Sequence, residues 1–381
     1  MQIFEDNDTI SPLYRRALSL TISKDFASEK NGKMSPVERQ NSEQANRRRE
    51  LLAVEEQANK DKIIEEHGQN YFREQVMAKF YAQVSAQINS DFENKEKLYK
   101  EILSIDDAAP AVMEILSVKA ASINRITPLV KSLPWLASDV VNLVNKPQYR
   151  KRADVQVTEP SLALSYIGLD NLKLVMPTFI LKSWLPVSTA PYPLMKRKLW
   201  NDSLSVALAS KVLAKAQGID DFSAFTAGML SNIGLLAVTR CFLNTFNEIH
   251  STELRAAYDE RDKKLHDILV QVNASPELLL EQLAVRSSKI AADLVEQMGF
   301  ERLQITEALF DLAYGNNIRN MCPIAQIVAK AKAYVAFRSL AKEDLIAGNE
   351  AKSWLSAVKL TPNDINLLKK SDIDHIKLNF K

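Results

Sequence analysis

Ala224-Phe-Thr-Ala-Gly-Met-Leu-Ser-Asn-Ile-Gly-Leu-Leu236 is an apolar stretch interrupted by one polar pair, Ser231-Asn232. Its Ala, Leu, Met and Phe continue in the same vein to Phe246, which predicts a helix over 222–246 at the centre of an all-α domain. The pair itself decides what chemistry that centre can host. A serine and a neutral amide are weak ligands for divalent metals, which favour imidazole and carboxylate.

Helical signals extend outward from this stretch in both directions. After Pro134, Leu136, Val140, Leu143 and Val144 fall on one face. Thr158-Glu-Pro160 opens a further helix, which Gly168 stops, since glycine suits the left-handed C-terminal position. Leu204, Leu208 and Val212 share a face of a helix over 200–217, and Leu283, Ile290, Leu294 and Met298 share one over 276–298. Shorter helices are expected near 302–314, 323–346, 350–358 and 361–371. No alternating run predicts a strand.

Four segments result. Residues 1–35 read as a loosely ordered arm with a short helix around Leu13 to Leu20. Residues 36–101 read as a charged helical extension, broken at His67-Gly68. In its second half Phe72, Val76, Phe80, Val84 and Ile88 recur every fourth residue. That stripe must bury against the body, a second copy or a partner, and Phe72, Val76, Phe80 and Val84 are the expected partner-binding positions. Residues 102–315 form the main domain, and 316–381 are helices packed on it.

Composition narrows the class further. Of 381 residues 46% are apolar and 25% charged, and only 9 are glycine, values that suit a helical globular protein better than a turn-rich β architecture. The net charge of +2 gives no overall basic field. Cys241 and Cys322 have no metal-like spacing and read as reduced structural thiols. No segment reaches the roughly 18 uninterrupted apolar residues of a membrane span. Met1 to Asp8 carries acids rather than a basic lead-in to an apolar run, so no secretory signal is read and a cytoplasmic location is expected.

Ordered blocks over roughly 104–312 resemble the HDOD family, degenerate relatives of HD-type metal-dependent phosphohydrolases. Ile126 to Asn145 resembles the family's "DPALAARLLRLANS" region, with Leu133 where an aspartate is common. Ser161 to Leu172 is similar to "AIALLGLDRL", Leu199 to Leu208 to "FWRHSLAVAL", and Arg286 to Phe300 to "HAEVGAALLERWGL". The opening stretch resembles "AGLLHDIG", in which a His-Asp pair ligates catalytic metal. Ser231-Asn232 takes the place of that pair. Asp202 stands for the histidine after the tryptophan, and Ser287 stands where a later histidine lies. One carboxylate and three weak ligands cannot grip a divalent cation or activate water through it. The resemblance implies an all-α domain used for regulation and protein contacts, with Asp202, Ser231, Asn232 and Ser287 as vestigial positions and no cofactor.

His266-Asp267, with Asp262 and His250 nearby in sequence, is a literal His-Asp dipeptide and the basis of an alternative, a metal-dependent nucleotide phosphodiesterase with a rearranged site. Its setting, Asp262-Lys-Lys-Leu-His-Asp267, is that of a solvated helix face. Lys146, Arg150, Lys151 and Arg152, with Tyr149 for stacking, support a second alternative, an RNA-binding regulator. The near-balanced charge argues against it. No Gly-x-Ser-x-Gly elbow or phosphate-binding Gly-rich loop is present. A cavity at the vestigial site, with one acid and no positive partners, is expected to suit a phosphate poorly. The expected function is therefore non-catalytic: a bacterial signal-transduction protein that binds a protein partner, or itself as a homo-oligomer, rather than nucleic acid or membrane.

Overall fold

The computed structural model describes residues 1–8, 10–33, 54–149 and 156–379, and every regular element among them is helical. Ahead of the body run α1 (Gln2–Glu5), α2 (Ser11–Ile22) and α3 (Lys24–Lys30). Then come α4 (Val54–Glu93) and a π-helical turn (Lys97–Ile102). The body opens with α5 (Ala108–Ser117), α6 (Ile123–Ser132) and α7 (Pro134–Val144). It continues through α8 (Pro160–Ile167), α9 (Leu169–Ser183), α10 (Met195–Ala216), α11 (Asp221–Leu230) and α12 (Ile233–Asp259). After α13 (Lys263–Leu269) come α14 (Pro276–Gln297) and α15 (Thr306–Tyr314). The chain ends in α16 (Pro323–Lys342), α17 (Gly348–Ala357) and α18 (Pro362–Lys370).

Proline starts and glycine stops set several of these boundaries. Pro134, Pro160, Pro276, Pro323 and Pro362 stand in the first turns of their helices, where the missing N–H costs no hydrogen bond. Gly168 and Gly299 take φ of +76° and +66° just outside helix ends, a region that a side chain disfavours.

The principal packing is α10 on α11 and α16, and α12 on α14, with α2 laid over α10, α14 and α16. The run Asp221–Asp259 is long and apolar enough by composition to cross a membrane. Yet 94% of its most apolar window is buried within the bundle, as in a core helix.

Three expectations need correction. The single helix over 222–246 is two, α11 and α12, parted by a turn at Ser231-Asn232. The N-terminal arm is folded: Phe4, Leu13, Ile22 and Phe26 are each at most 2% exposed. Phe4 stacks on Trp354 of α17 with ring centroids 4.5 Å apart. Nor does the extension break at His67-Gly68, because α4 runs through both. One glycine weakens a helix interior by about 1 kcal/mol without ending it. The expected start of that extension, at Ser35-Pro36, lies outside the described residues.

The apolar stripe of α4 is used within the chain. Phe80, Val84 and Ile88 are 3%, 0% and 1% exposed, and Phe80 meets Phe246 of α12 edge-on at 5.5 Å. Phe80 and Val84 are therefore docking residues of the fold rather than free partner-binding positions. Val76 is half-buried and Phe72 is 40% exposed. Asp91 secures the far end of α4, accepting from Lys97 at 2.7 Å and from Thr245 of α12 at 3.2 Å.

Candidate functional site

α11 begins where the Asp220 carboxylate accepts the Ser223 N–H at 2.8 Å, and it runs close along α10. The closeness depends on Gly228, where a Cβ would lie 2.7 Å from Ser210 Oγ and 3.0 Å from Ala207 Cα. After Leu230 the chain turns at Ser231-Asn232 and reverses into α12. Gly234 then brings α12 against the backbone of α14 at Ser287. The turn is thereby pressed between α10, α14 and α16.

The four positions expected to be vestigial converge there. Asp202, Ser231, Asn232 and Ser287 all line one cavity of about 630 Å3, walled by α2, α10, α14 and α16. Ser231 Oγ donates to the Gly228 carbonyl at 2.8 Å, and Asn232 Nδ2 donates to Ser203 Oγ at 3.3 Å. The Ser287 hydroxyl is buried and has no hydrogen-bond partner among the described residues. Asp202 is half-buried and makes no hydrogen bond among the described residues. Burial lifts its carboxyl to about 6, against the pull of Lys198 and Arg338, with Asp374 adding to the rise.

A residue that the sequence reading did not single out completes the arrangement. Lys332 of α16 points its ammonium into the turn. It donates to Asn232 Oδ1 at 2.7 Å, the Ser231 carbonyl at 3.1 Å and Ser231 Oγ at 3.3 Å. Burial alone brings it down to about 7. The acceptors that a metal would need are already taken by the Lys332 amine, which below about pH 7 is charged and repels a second cation. These residues do not fit a divalent metal, and no metal-activated water is derived from them. Lys332 lies beyond the blocks of resemblance. Its signal was nonetheless present: it stands four residues after Val328 and three before Val335, on the buried stripe of α16.

The raised carboxyl has a measurable consequence. An unfolded aspartate loses its proton near 3.8 and Asp202 near 6, so between these values the folded chain binds the extra proton and loses stability as pH rises. Above about pH 6 the full penalty of the buried carboxylate applies. Asp202→Asn is expected to be more stable than the parent there by about 1 kcal/mol, allowing for screening by cavity water, and to match it near pH 4. Paired urea titrations at the two pH values check this.

The other candidates stand apart from the cavity. His266 and Asp267 lie on α13 with Nδ1 and Oδ1 3.8 Å apart and side chains 37% and 63% exposed. Asp262 caps that helix through the Leu265 N–H at 3.0 Å, and His250 Nε2 lies 2.8 Å from the Leu269 carbonyl. No group of three or more His, Cys, Asp or Glu among the described residues is placed to hold a metal. The Cys241 thiol is pushed up to about 12, chiefly by burial and further by Asp91, and is inert as a nucleophile. Lys146 is exposed, and Arg150, Lys151 and Arg152 lie outside the described residues.

Residues 102–274 match the HDOD domain. A Shewanella amazonensis SB2B protein provisionally described as a phosphohydrolase is 18% identical over 72% of this chain and 91% of its own, with a TM-score of 0.45. An HDOD domain protein of unknown function from Geobacter sulfurreducens is 20% identical over 74% of this chain and 91% of its own, at 0.41. A Marinobacter aquaeolei VT8 protein provisionally described as acting in signal transduction is 18% identical over 76% of this chain and 65% of its own, at 0.43. No curated protein matches the chain. Ser287 and Lys332 both lie beyond the matched residues.

Proposed function

We propose that this chain, which carries an HDOD domain at residues 102–274, is a cytoplasmic regulatory protein of a bacterial signalling system that works through protein contacts and without catalysis. The observation that carries the reading is the Lys332 ammonium, held by Asn232 and Ser231 where a hydrolase of this ancestry would need metal. Without a metal the site lacks a Lewis acid and a low-pKa water. Asp202 makes no hydrogen bond among the described residues, and His375, which lines the same cavity, pairs instead with Asp372 at 3.2 Å.

A contact surface for this role is offered by α4. Tyr71 and Phe72 are 64% and 40% exposed just ahead of the part that docks on α12. Large aromatics exposed together on a helix are suited to anchoring an interface. The test uses the tagged full chain, captured from its native cells after nuclease treatment. A stoichiometric protein partner, or a second copy, is expected with the parent and is expected to be lost with Phe72→Glu. The same purified chain, given manganese or magnesium, is expected to hydrolyse no phosphodiester, and His266→Ala and Asp267→Ala are expected to change neither its fold nor its metal content. Metal-dependent turnover abolished by either alanine would overturn the reading in favour of a rearranged hydrolase.

A further inference from the structure

The cavity holds more positive charge than its own acids balance. Of the carboxylates that line it, Glu343 is taken by Lys24 at 2.7 Å and Asp374 by Arg338 at 2.9 Å. Asp202 is the one acid there without an ion pair among the described residues. Against it stand Lys332, Lys198, Arg197 and Lys342, which line the cavity and form no ion pair among the described residues. Lys198 Nζ donates to the Leu20 carbonyl, and Lys332 to three neutral acceptors. Lys332 and Lys198 are half-buried, whereas Arg197 and Lys342 are exposed. A cation partly withdrawn from water without counter-charge is costly, and that cost is recovered when an anion enters. The expectation that this pocket lacks positive partners is thus overturned. They come from α16 and from the start of α10, outside the vestigial motif.

A second, independent feature points the same way. The Ser287 hydroxyl is 4% exposed, lines the cavity and has no hydrogen-bond partner among the described residues. Ser210, Thr226 and Thr239 also bury hydroxyls without a partner among the described residues, but Ser287 alone of the four lines the cavity, where an entering ligand could supply the acceptor. We propose that the cavity is a binding site for a phosphorylated small molecule, whose phosphate faces Lys332 and Ser287 and whose body extends towards Arg197 and Lys342. A phosphate ester suits the site better than a simple carboxylate. It carries up to two charges against several unpaired cations, and its three terminal oxygens accept from both an ammonium and a hydroxyl. The space favours an ester over the free ion, since about 630 Å3 lies within the range of small-molecule sites. Lys332 and Lys342, ten residues apart on one helix, are about 15 Å apart along its axis.

The inference is independent of any protein partner, because it is tested on the isolated full chain; its failure would leave the regulatory reading standing. The probe is inorganic phosphate, titrated at constant ionic strength and followed by phosphorus NMR and calorimetry. Saturable binding is expected, weakened at least about tenfold in Lys332→Met. Ser287→Ala is expected to weaken it about threefold and Asp202→Asn to tighten it. Ribose 5-phosphate is expected to bind more tightly than the free ion, and ribose not at all. No saturation up to about 10 mM phosphate, or binding that neither Lys332→Met nor Ser287→Ala weakens, would overturn the proposal. Should Lys332→Met fail to fold, Ser287→Ala and Arg197→Gln decide by the same criterion.

Discussion

Gly234→Ala is expected to destabilise the chain by more than about 3 kcal/mol, the largest loss of any single methyl addition considered. A Cβ at this position would lie 1.8 Å from the Ser287 carbonyl oxygen, 2.7 Å from its carbon and 3.0 Å from the Ala291 nitrogen. All three are backbone atoms of α14, so no rotamer change can relieve the clash. Either α12 and α14 move apart along one of the most extensive contacts in the bundle, or α12 loses its first turn. Both routes shift Ser287 and the Ser231-Asn232 turn, so phosphate binding should fail with stability. Gly348→Ala is the matched control. It opens α17 with nothing within 4 Å of the added carbon, and the change is expected to stay within about 0.5 kcal/mol. Thermal and urea melts of the two variants beside the parent make the comparison. A Gly234→Ala protein that melts with the parent would mean that the α12–α14 approach is looser than described.

That glycine illustrates how far the sequence could be read. The helices, their proline starts and their glycine stops were legible because each follows from local chemistry: fixed φ, a missing donor, apolar residues at helical spacing. The convergence of Asp202, Ser231, Asn232 and Ser287 was legible through family resemblance alone, since 85 residues and several helices separate the first from the last. The turn at Ser231-Asn232 was hidden because apolar residues on both sides of it continue one another in composition. The arm over residues 1–33 misled for the opposite reason. Ile10, Tyr14, Leu18, Ile22 and Phe26 form a stripe at i, i+4 spacing, and all five are buried, but the Ser, Lys and Asp between them dilute the average. Lys332 was the costliest omission. A lysine on the buried stripe of an apolar helix has to find acceptors, and only the folded chain shows that these are Asn232 and Ser231.

Lys332→Met is therefore the change that reports most directly on the centre of the molecule, and its cost is expected to depend on pH. The thioether keeps most of the stem and removes the donors, leaving Asn232 Oδ1 and the Ser231 carbonyl without the hydrogen bonds they accept at 2.7 and 3.1 Å. Two buried acceptors left open cost about 2–4 kcal/mol. Opposing this is the desolvation of the ammonium, which the variant escapes. An unfolded lysine holds its proton up to about 10.5 and Lys332 up to about 7. Between those values the unfolded chain binds more protons, and the native protein gains stability as pH rises. Near pH 9.5 the folded amine is neutral and still donates, so the full loss in Lys332→Met should be seen there. As pH falls the native protein loses up to about 1.4 kcal/mol per unit relative to the variant, less whatever cavity water screens. The gap should therefore narrow towards pH 7 and remain constant below it. Denaturant titrations of both proteins at pH 6, 7, 8.5 and 9.5 resolve this course, and their difference cancels the titrations that the two chains share. A gap that widened as pH fell would mean that a nearby carboxylate pairs with the ammonium. Adding phosphate should then separate the two accounts. A bound anion holds Lys332 charged and stabilises the native protein most at pH 7 and below, where the empty site is least favourable, and it should stabilise Lys332→Met far less.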